Sequence, residues 1–332
     1  MNNEFYERTG ERVPRNNEEI IIKLQDITEI EERRYAEPGQ VSSDLGAIAA
    51  EEALTSSGID RETLDYIIVA HNFGDVKSGS TRVDMVPSLA SRVKYSLKIQ
   101  NPDCVAYDLP FGCPGWLQGM IQADYFIRSG DAKRIMIIGS ETLSRVSDPH
   151  DRDCMIFADG AGATILEGRS ETSSGILSHK AQTHTANEAY YLYSERSSKP
   201  DFPGDDLFIK MDGRKIYEYA LSNVPIAIKA TIEKAGIDIS EIKKIVIHQA
   251  NAKMDEAILR RLFKLYNLTE IPEGIMPMTI SKLGNSSVAT IPTLLDMMLK
   301  KEIPGQEINK GDVVVFASVG AGMNINAMTY RF

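Results

Sequence analysis

The 332-residue chain has little cysteine, few histidines, a single tryptophan and no long apolar run. Its three cysteines, Cys104, Cys113 and Cys154, are odd in number and never spaced as C-x-x-C. That disfavours a disulfide framework and a zinc site, and leaves at least one thiol free. None of the five histidines stands in an H-E-x-x-H pair. No apolar stretch approaches the ~18 residues of a membrane span. The nearest N-terminal candidate, Ile20-Ile21-Ile22, is hemmed in by Glu18, Glu19 and Lys23, so the chain reads as cytoplasmic. Positive charge is also short: Lys+Arg 37 against Asp+Glu 47 gives a net charge of −10, the opposite of what a nucleic-acid binder needs. What remains, 42% hydrophobic and 25% charged, is an ordinary globular composition. The length points to two domains, or to two halves sharing one layered core.

Short runs rich in branched residues mark the strands: Tyr66 to Ala70, Cys104 to Tyr107, Arg134 to Ile138, Lys244 to Ile247 and Val313 to Phe316. Continuous runs of this kind suit strands buried on both faces. Helical stretches alternate with them: Ser43 to Ser57, Pro87 to Leu97, Pro114 to Ser129, Gly213 to Ala235 and Asn251 to Tyr266. Gly58, Gly130 and Gly236 stand where a helix C-terminus needs a left-handed residue. The alternation predicts an α/β fold with a largely parallel sheet.

Internal repetition says more. Gly58-Ile-Asp, a buried strand and His71 are echoed by Gly236-Ile-Asp, a buried strand and His248, with the histidines 177 residues apart. Gly130-Asp131 and the strand ending at Gly139 are echoed by Gly311-Asp312 and the strand ending at Gly320, 181 residues on. Two echoes in nearly one register predict a duplicated α/β unit, with halves 1–170 and 171–332 and a polar seam near Gly168 to Gly175. Residues 182–206 have little periodicity and read as an insertion, either lining a pocket or passing over the surface.

The sequence Leu109-Pro-Phe-Gly-Cys113-Pro-Gly-Trp116 ends a strand, turns at Gly112 and starts a helix at Pro114. Cys113 thus sits at a helix N-terminus, where the dipole favours a thiolate and an activated nucleophile; the alternative is a small cysteine filling space. His248 follows its strand into Gln249-Ala-Asn251, where a strand end opens into the ligand crevice of an α/β sheet. Asn285 follows Gly284 at the start of a helical stretch, 172 residues after Cys113, either as an N-cap or as its counterpart in the second half. If the halves pack about a pseudo-twofold axis, Cys113, His248 and Asn285 meet. Asp159-Gly-Ala-Gly-Ala leads into a strand and so fails the dinucleotide fingerprint.

Taken in order, Gly-Cys113-Pro-Gly, Asp148-Pro-His-Asp-Arg152 with Phe157-Ala-Asp-Gly-Ala-Gly-Ala, His248-Gln-Ala-Asn251, Gly284-Asn-Ser-Ser-Val-Ala-Thr-Ile-Pro292 and Gly320-Ala-Gly322 resemble β-ketoacyl-acyl-carrier-protein synthase III of the thiolase superfamily. The resemblance covers the chain from about residue 17 onward. It implies a thiolase-like five-layered αβαβα sandwich of two duplicated halves, a homodimer, and condensation of an acyl thioester with malonyl-acyl-carrier protein. Carried over residue by residue, Cys113 resembles the acyl acceptor, and His248 and Asn285 the pair that binds the extender thioester. The backbone N–H groups of Cys113 and Ala321 resemble the oxyanion hole, and Arg152 and Lys253 basic positions at the tunnel mouth. No metal or redox cofactor is implied. Two departures stand out: Lys23 and Ile27 occupy the places of an aromatic and an arginine that grip coenzyme A, and Met1 to Asn17 shows no Gly-rich opening strand. The altered positions and the insertion also admit a specialised ketosynthase that joins two acyl or β-ketoacyl chains. A non-catalytic partner subunit is a further alternative, against which the intact Cys113, His248 and Asn285 weigh.

Overall fold

Strands of four or more residues are β1 Tyr66–His71, β2 Val105–Pro110, β3 Arg134–Thr142, β4 Asp159–Glu167, β5 Gly175–Thr183, β6 Leu192–Glu195, β7 Phe208–Met211, β8 Ile242–Ile247, β9 Val313–Gly320 and β10 Asn324–Arg331. Helices of eight or more are α1 Asn17–Thr28, α2 Ser42–Ser57, α3 Leu89–Ser96, α4 Gly115–Ser129, α5 Gly213–Ala235, α6 Ala252–Leu265 and α7 Thr290–Leu299. The structure, a computed structural model, describes residues 4–170 and 173–332, so part of the Gly168 to Gly175 seam, and with it the 170/171 boundary, lies outside the described residues. All the expected elements form, with shifted ends. The third helix starts at Leu89 rather than Pro87, because Ser88 caps it by accepting from the Ser91 N–H at 3.2 Å. Gly58, Gly130 and Gly236 all close their helices in the left-handed conformation.

Two four-stranded sheets form, in the orders β2-β1-β3-β4 and β8-β9-β10-β5. In the first, β1 runs parallel to both β2 and β3, and β4 returns antiparallel to β3. In the second, β8 and β9 are parallel, and β10 lies antiparallel between β9 and β5. The β1-β3-β4 and β8-β9-β10 segments are therefore the repeated unit, and each sheet adds one strand that the other lacks. Where the second sheet lacks a counterpart of β2, an irregular segment approaches, with the Ile275 carbonyl accepting from the Ile245 N–H at 2.8 Å. In the first sheet, no strand covers the outer edge of β4 among the described residues. Residues 4–16 instead form a turn bridged between Tyr6 and Arg12, and Phe5 and Val13 are buried against Ile20 and Met155.

Strand periodicity divides the core into three. Ile68, Ile135 and Ile137 face α4 and α7, and Val246, Val314 and Phe316 close on the same helices from the other sheet. Ile67, Val69, Met136 and Ile138 face the opposite way, under α2 and α3. Ile245, Ile247, Val313 and Val315 lie under α5 and α6. The layers thus run helix, sheet, helix, sheet, helix, the five-layered αβαβα sandwich that the motifs imply. Because α4 and α7 are enclosed between sheets, the loops that lead into them are pinned in the middle of the molecule.

The stretch 182–206 is ordered. It contains β6, which pairs with β7, and its Ser197 and Ser198 are fastened to Asp148, whose carboxylate is also ion-paired with buried Lys210. Asp148 accepts from the Ser198 N–H at 2.7 Å and from Ser197 Oγ at 2.9 Å.

Candidate active site

β2 runs out at Pro110, and Gly112 turns the chain in a left-handed conformation, φ +68°. The dihedral favours glycine, and a Cβ there would also make a tight contact, 3.1 Å, with the Ala321 nitrogen. Cys113 follows, and Pro114 caps α4 from just outside it. Gly320, the last residue of β9, lies so close that a Cβ would be 2.7 Å from the Cys113 nitrogen. His248 follows β8 directly, its N–H donating to the Ala317 carbonyl at 2.9 Å. Asn285 is held by its own backbone: its N–H donates to Ile156 O at 2.9 Å, and its carbonyl accepts from the Ala158 N–H at 2.8 Å. Asn285 Oδ1 accepts from the Ser287 N–H at 2.9 Å, which leaves the amide NH₂ to donate elsewhere.

Cys113, His248, Asn285 and Ala321 all line one inner chamber of about 60 Å³. Among the described residues no Asp, Glu, Lys or Arg lines it; its walls include Leu143, Phe157, Leu192 and Met323. Burial in this apolar setting pushes the His248 ring down to about 4, so the imidazole is neutral at pH 7. Burial also pushes the Cys113 thiol up, to about 11, which corrects the expectation of a lowered value at the helix N-terminus. Desolvation of the sulfur is the largest cause, and the hydrogen bond from Ser287, whose hydroxyl donates to Sγ at 3.5 Å, opposes it without offsetting it. Cys104 and Cys154 are buried free thiols away from this chamber.

The inner chamber shares Ile156, Met211, Ile216, Ala250 and Met254 with an outer one of about 600 Å³. Arg152 and Ile27 line the outer chamber, whose rim also carries Glu7, Arg8, Asp151, Asp153 and Asp212. Arg152 is ion-paired with Glu7 at 3.0 Å and Asp153 at 3.8 Å. Lys253 does not line either chamber; it is exposed at the start of α6. Sequence reasoning did not single out Ser287, Asn72 or Leu192, which also line the inner chamber, or Glu141 behind them. Ser287 lies within the Gly284 to Pro292 motif but stood in the shadow of Asn285, Asn72 carries no motif of its own, and Leu192 comes from the segment whose lack of periodicity hid its packing.

Residues 107–185 match the family described as 3-oxoacyl-[acyl-carrier-protein] synthase III, and residues 232–332 match its C-terminal part. β-Ketoacyl-[acyl-carrier-protein] synthase III of Cereibacter sphaeroides strain ATCC 17029 is 30% identical over 329 residues, covering 96% of this chain and 94% of that protein. The chain belongs to the synthase III family. The corresponding protein of Erythrobacter litoralis is also 30% identical, over 98% of each chain. The crystal structure of 3-oxoacyl-[acyl-carrier-protein] synthase III from Aquifex aeolicus VF5 superposes with a TM-score of 0.79 at 30% identity, covering 94% of this chain and 91% of that one. The first matched segment contains Cys113 and the second His248, Asn285 and Ala321, all four of which line the inner chamber.

Proposed function

We propose that the chain is an acyltransferase that condenses an acyl thioester with malonyl-acyl-carrier protein, releasing CO₂ and giving a β-ketoacyl product in fatty-acid biosynthesis. The observation that carries this reading is the shared inner chamber of Cys113, His248 and Asn285 beneath one wide outer chamber. Cys113 Sγ attacks the acyl carbonyl, the bond to the donor sulfur breaks, and the thiol proton leaves with the departing thiol. The malonyl thioester then loses CO₂. Its enolate oxygen is met by two neutral donors, His248 with its proton on Nε2 and the Asn285 amide, whose Oδ1 is already engaged. The resulting carbanion attacks the acyl-Cys113 carbonyl. Negative charge on that oxygen is received by the backbone N–H groups of Cys113 and Ala321, worth about 3 kcal/mol per donor in a site this dry. Ejection of the Cys113 thiolate completes the bond, and the next cycle begins when it regains a proton.

Arg152 and Lys253 are read as contacts for the carrier. Arg152 faces the outer chamber, where the phosphopantetheine arm would pass, and Lys253 stands exposed outside it, where an acidic carrier surface would dock. A homodimer fits two exposed features: the apolar group Val83, Met85 and Val86, and the outer edge of β2, unpaired among the described residues, with its exposed Val105. In such a dimer Val86, 87% exposed here, would reach the partner's acyl pocket. No helix among the described residues is long and apolar enough to cross a membrane, in keeping with a cytoplasmic enzyme.

The test offers acyl-coenzyme A and acyl-carrier donors to the protein and reads intact mass. A mass gain lost in Cys113→Ala, followed by β-ketoacyl product when malonyl-acyl-carrier protein is added, is the expected result. Failure of every donor to acylate Cys113 overturns the reading, and light scattering of the purified protein decides the dimer.

A further inference from the structure

Behind Cys113 stands a polar chain that the steps above do not use. Glu141, in β3, is fully buried, and one of its carboxylate oxygens accepts twice from Asn72: from the backbone N–H at 2.7 Å and from the side-chain amide at 2.6 Å. The same amide nitrogen donates its other hydrogen to Ser287 Oγ at 2.8 Å. A hydroxyl that accepts there keeps its own proton to give, and Cys113 Sγ is the acceptor, at 3.5 Å. Asn72 is thus anchored by donating to Glu141 on one side, and on the other it donates to Ser287 and so aims that hydroxyl at the sulfur.

A second observation concerns Ser287 itself. It holds φ +56°, in the left-handed region where a residue with a Cβ is disfavoured, and it does so while buried. Such conformations persist where the surroundings hold them, and they cluster at functional sites. The same residue's N–H fixes the amide of Asn285. One serine therefore faces the nucleophile with its side chain and the extender-binding amide with its backbone.

We propose that Ser287, oriented through Asn72 by buried Glu141, is a positioning residue that donates its hydroxyl proton toward Cys113 Sγ and stabilises the thiolate that accepts the acyl group. The proposal rests on the reading of Cys113 as acyl acceptor. The groups that titrate near the sulfur are His248 across the chamber and Glu141 behind Asn72; among the described residues the chamber walls carry no Asp, Glu, Lys or Arg.

The experiment uses Ser287→Gly, which removes the hydroxyl while suiting the left-handed backbone, and reads the alkylation rate of Cys113 by iodoacetamide from pH 7 to 10 by intact mass, with Cys113→Ala as the blank. A tenfold change in thiolate fraction accompanies each unit of pKa, so a rate about tenfold lower at each pH is expected, with thermal stability held or raised. Acylation of Cys113 by thioester donors should slow in parallel. Asn72→Ala, which frees the Ser287 hydroxyl to rotate, should slow alkylation in the same direction and keeps the test open if the glycine variant does not fold. Unchanged alkylation in whichever variant folds overturns the proposal. A wild-type Cys113 that alkylates normally but accepts no acyl group would instead overturn the condensation reading, leaving the alkylation comparison to judge Ser287 alone.

Discussion

Gly320 presses on Cys113 from the end of β9, with room for no side chain: a Cβ would sit 2.7 Å from the Cys113 nitrogen and 3.0 Å from its Cβ. Its partner in the repeat, Gly139 in β3, makes the equivalent approach in the other half, where a Cβ would run into the Val288 carbonyl three residues beyond Asn285. Each half therefore uses a strand glycine to seat the active loop of the other. Gly320 has an extended backbone, φ −164°, so the constraint is space and not dihedral. Gly320→Ala should displace Cys113, and a shift of about 1 Å is enough to slow acylation roughly 10²-fold. Stopped-time intact-mass measurements with the best donor check this; an acylation rate within a factor of three of wild type would show that the loop yields.

His248 supplies a pH prediction. Its ring gains a proton only near pH 4, because burial without a charged partner disfavours the imidazolium. A base with a depressed folded value gives up none of its stability above its unfolded value of about 6.5, and loses it progressively as pH falls toward the folded value. Malonyl decarboxylation, measured as CO₂ release, should therefore hold its rate down to about pH 5, about one unit above the ring's titration. A fall centred near pH 6.5 would mean that the ring is solvated and its neutral form is not what the site selects.

Asp148 and Lys210 give a prediction about stability. Both side chains are almost fully buried, and Lys210 also donates to Ser198 Oγ at 2.7 Å. Burial alone would raise the Asp148 carboxyl, but Lys210 and the backbone N–H groups of His150 and Ser198 outweigh it and hold the group below the usual carboxylate range. Its contribution is thus present above about pH 4 and lost as pH falls through the folded value. Lys210→Met leaves the carboxylate buried without its cation and should cost about 3 kcal/mol at pH 7. The Tm, and protease sensitivity between residues 192 and 211, are the measurements; a change below about 1 kcal/mol would place the pair in contact with water.

Asp255, on α6, works in the opposite sense. It is fully buried, neither carboxylate oxygen has a partner among the described residues, and burial raises it well above the ordinary value. The folded protein therefore holds a proton that the unfolded chain releases above about pH 3.9, so stability falls as pH rises, by about 1.4 kcal/mol per unit until the folded value is reached. Asp255→Asn removes that slope. Its Tm advantage over wild type should widen between pH 5 and pH 7, and an advantage that does not grow with pH would show that the carboxyl is ionised in the folded protein.

Much of the molecule was legible in the chain itself. The strands of branched residues, the glycine helix stops and the two echoes near half-length specified a duplicated α/β unit, because buried strand runs and left-handed caps are local requirements written in consecutive residues. Cys113, His248 and Asn285 stood out for the same reason: each lies at the junction of an element and a turn. Only the tertiary structure decided the rest. Whether the Cys113 thiol is raised or lowered depends on how completely its surroundings exclude water, and desolvation is the largest cause acting on it. Arg152 and Lys253 look alike as basic residues, yet packing pairs one with Glu7 at the outer chamber and leaves the other in solvent. The chain from Glu141 through Asn72 to Ser287 joins residues as far as 215 positions apart, and hydrogen bonds of that span leave no periodicity or spacing in a sequence.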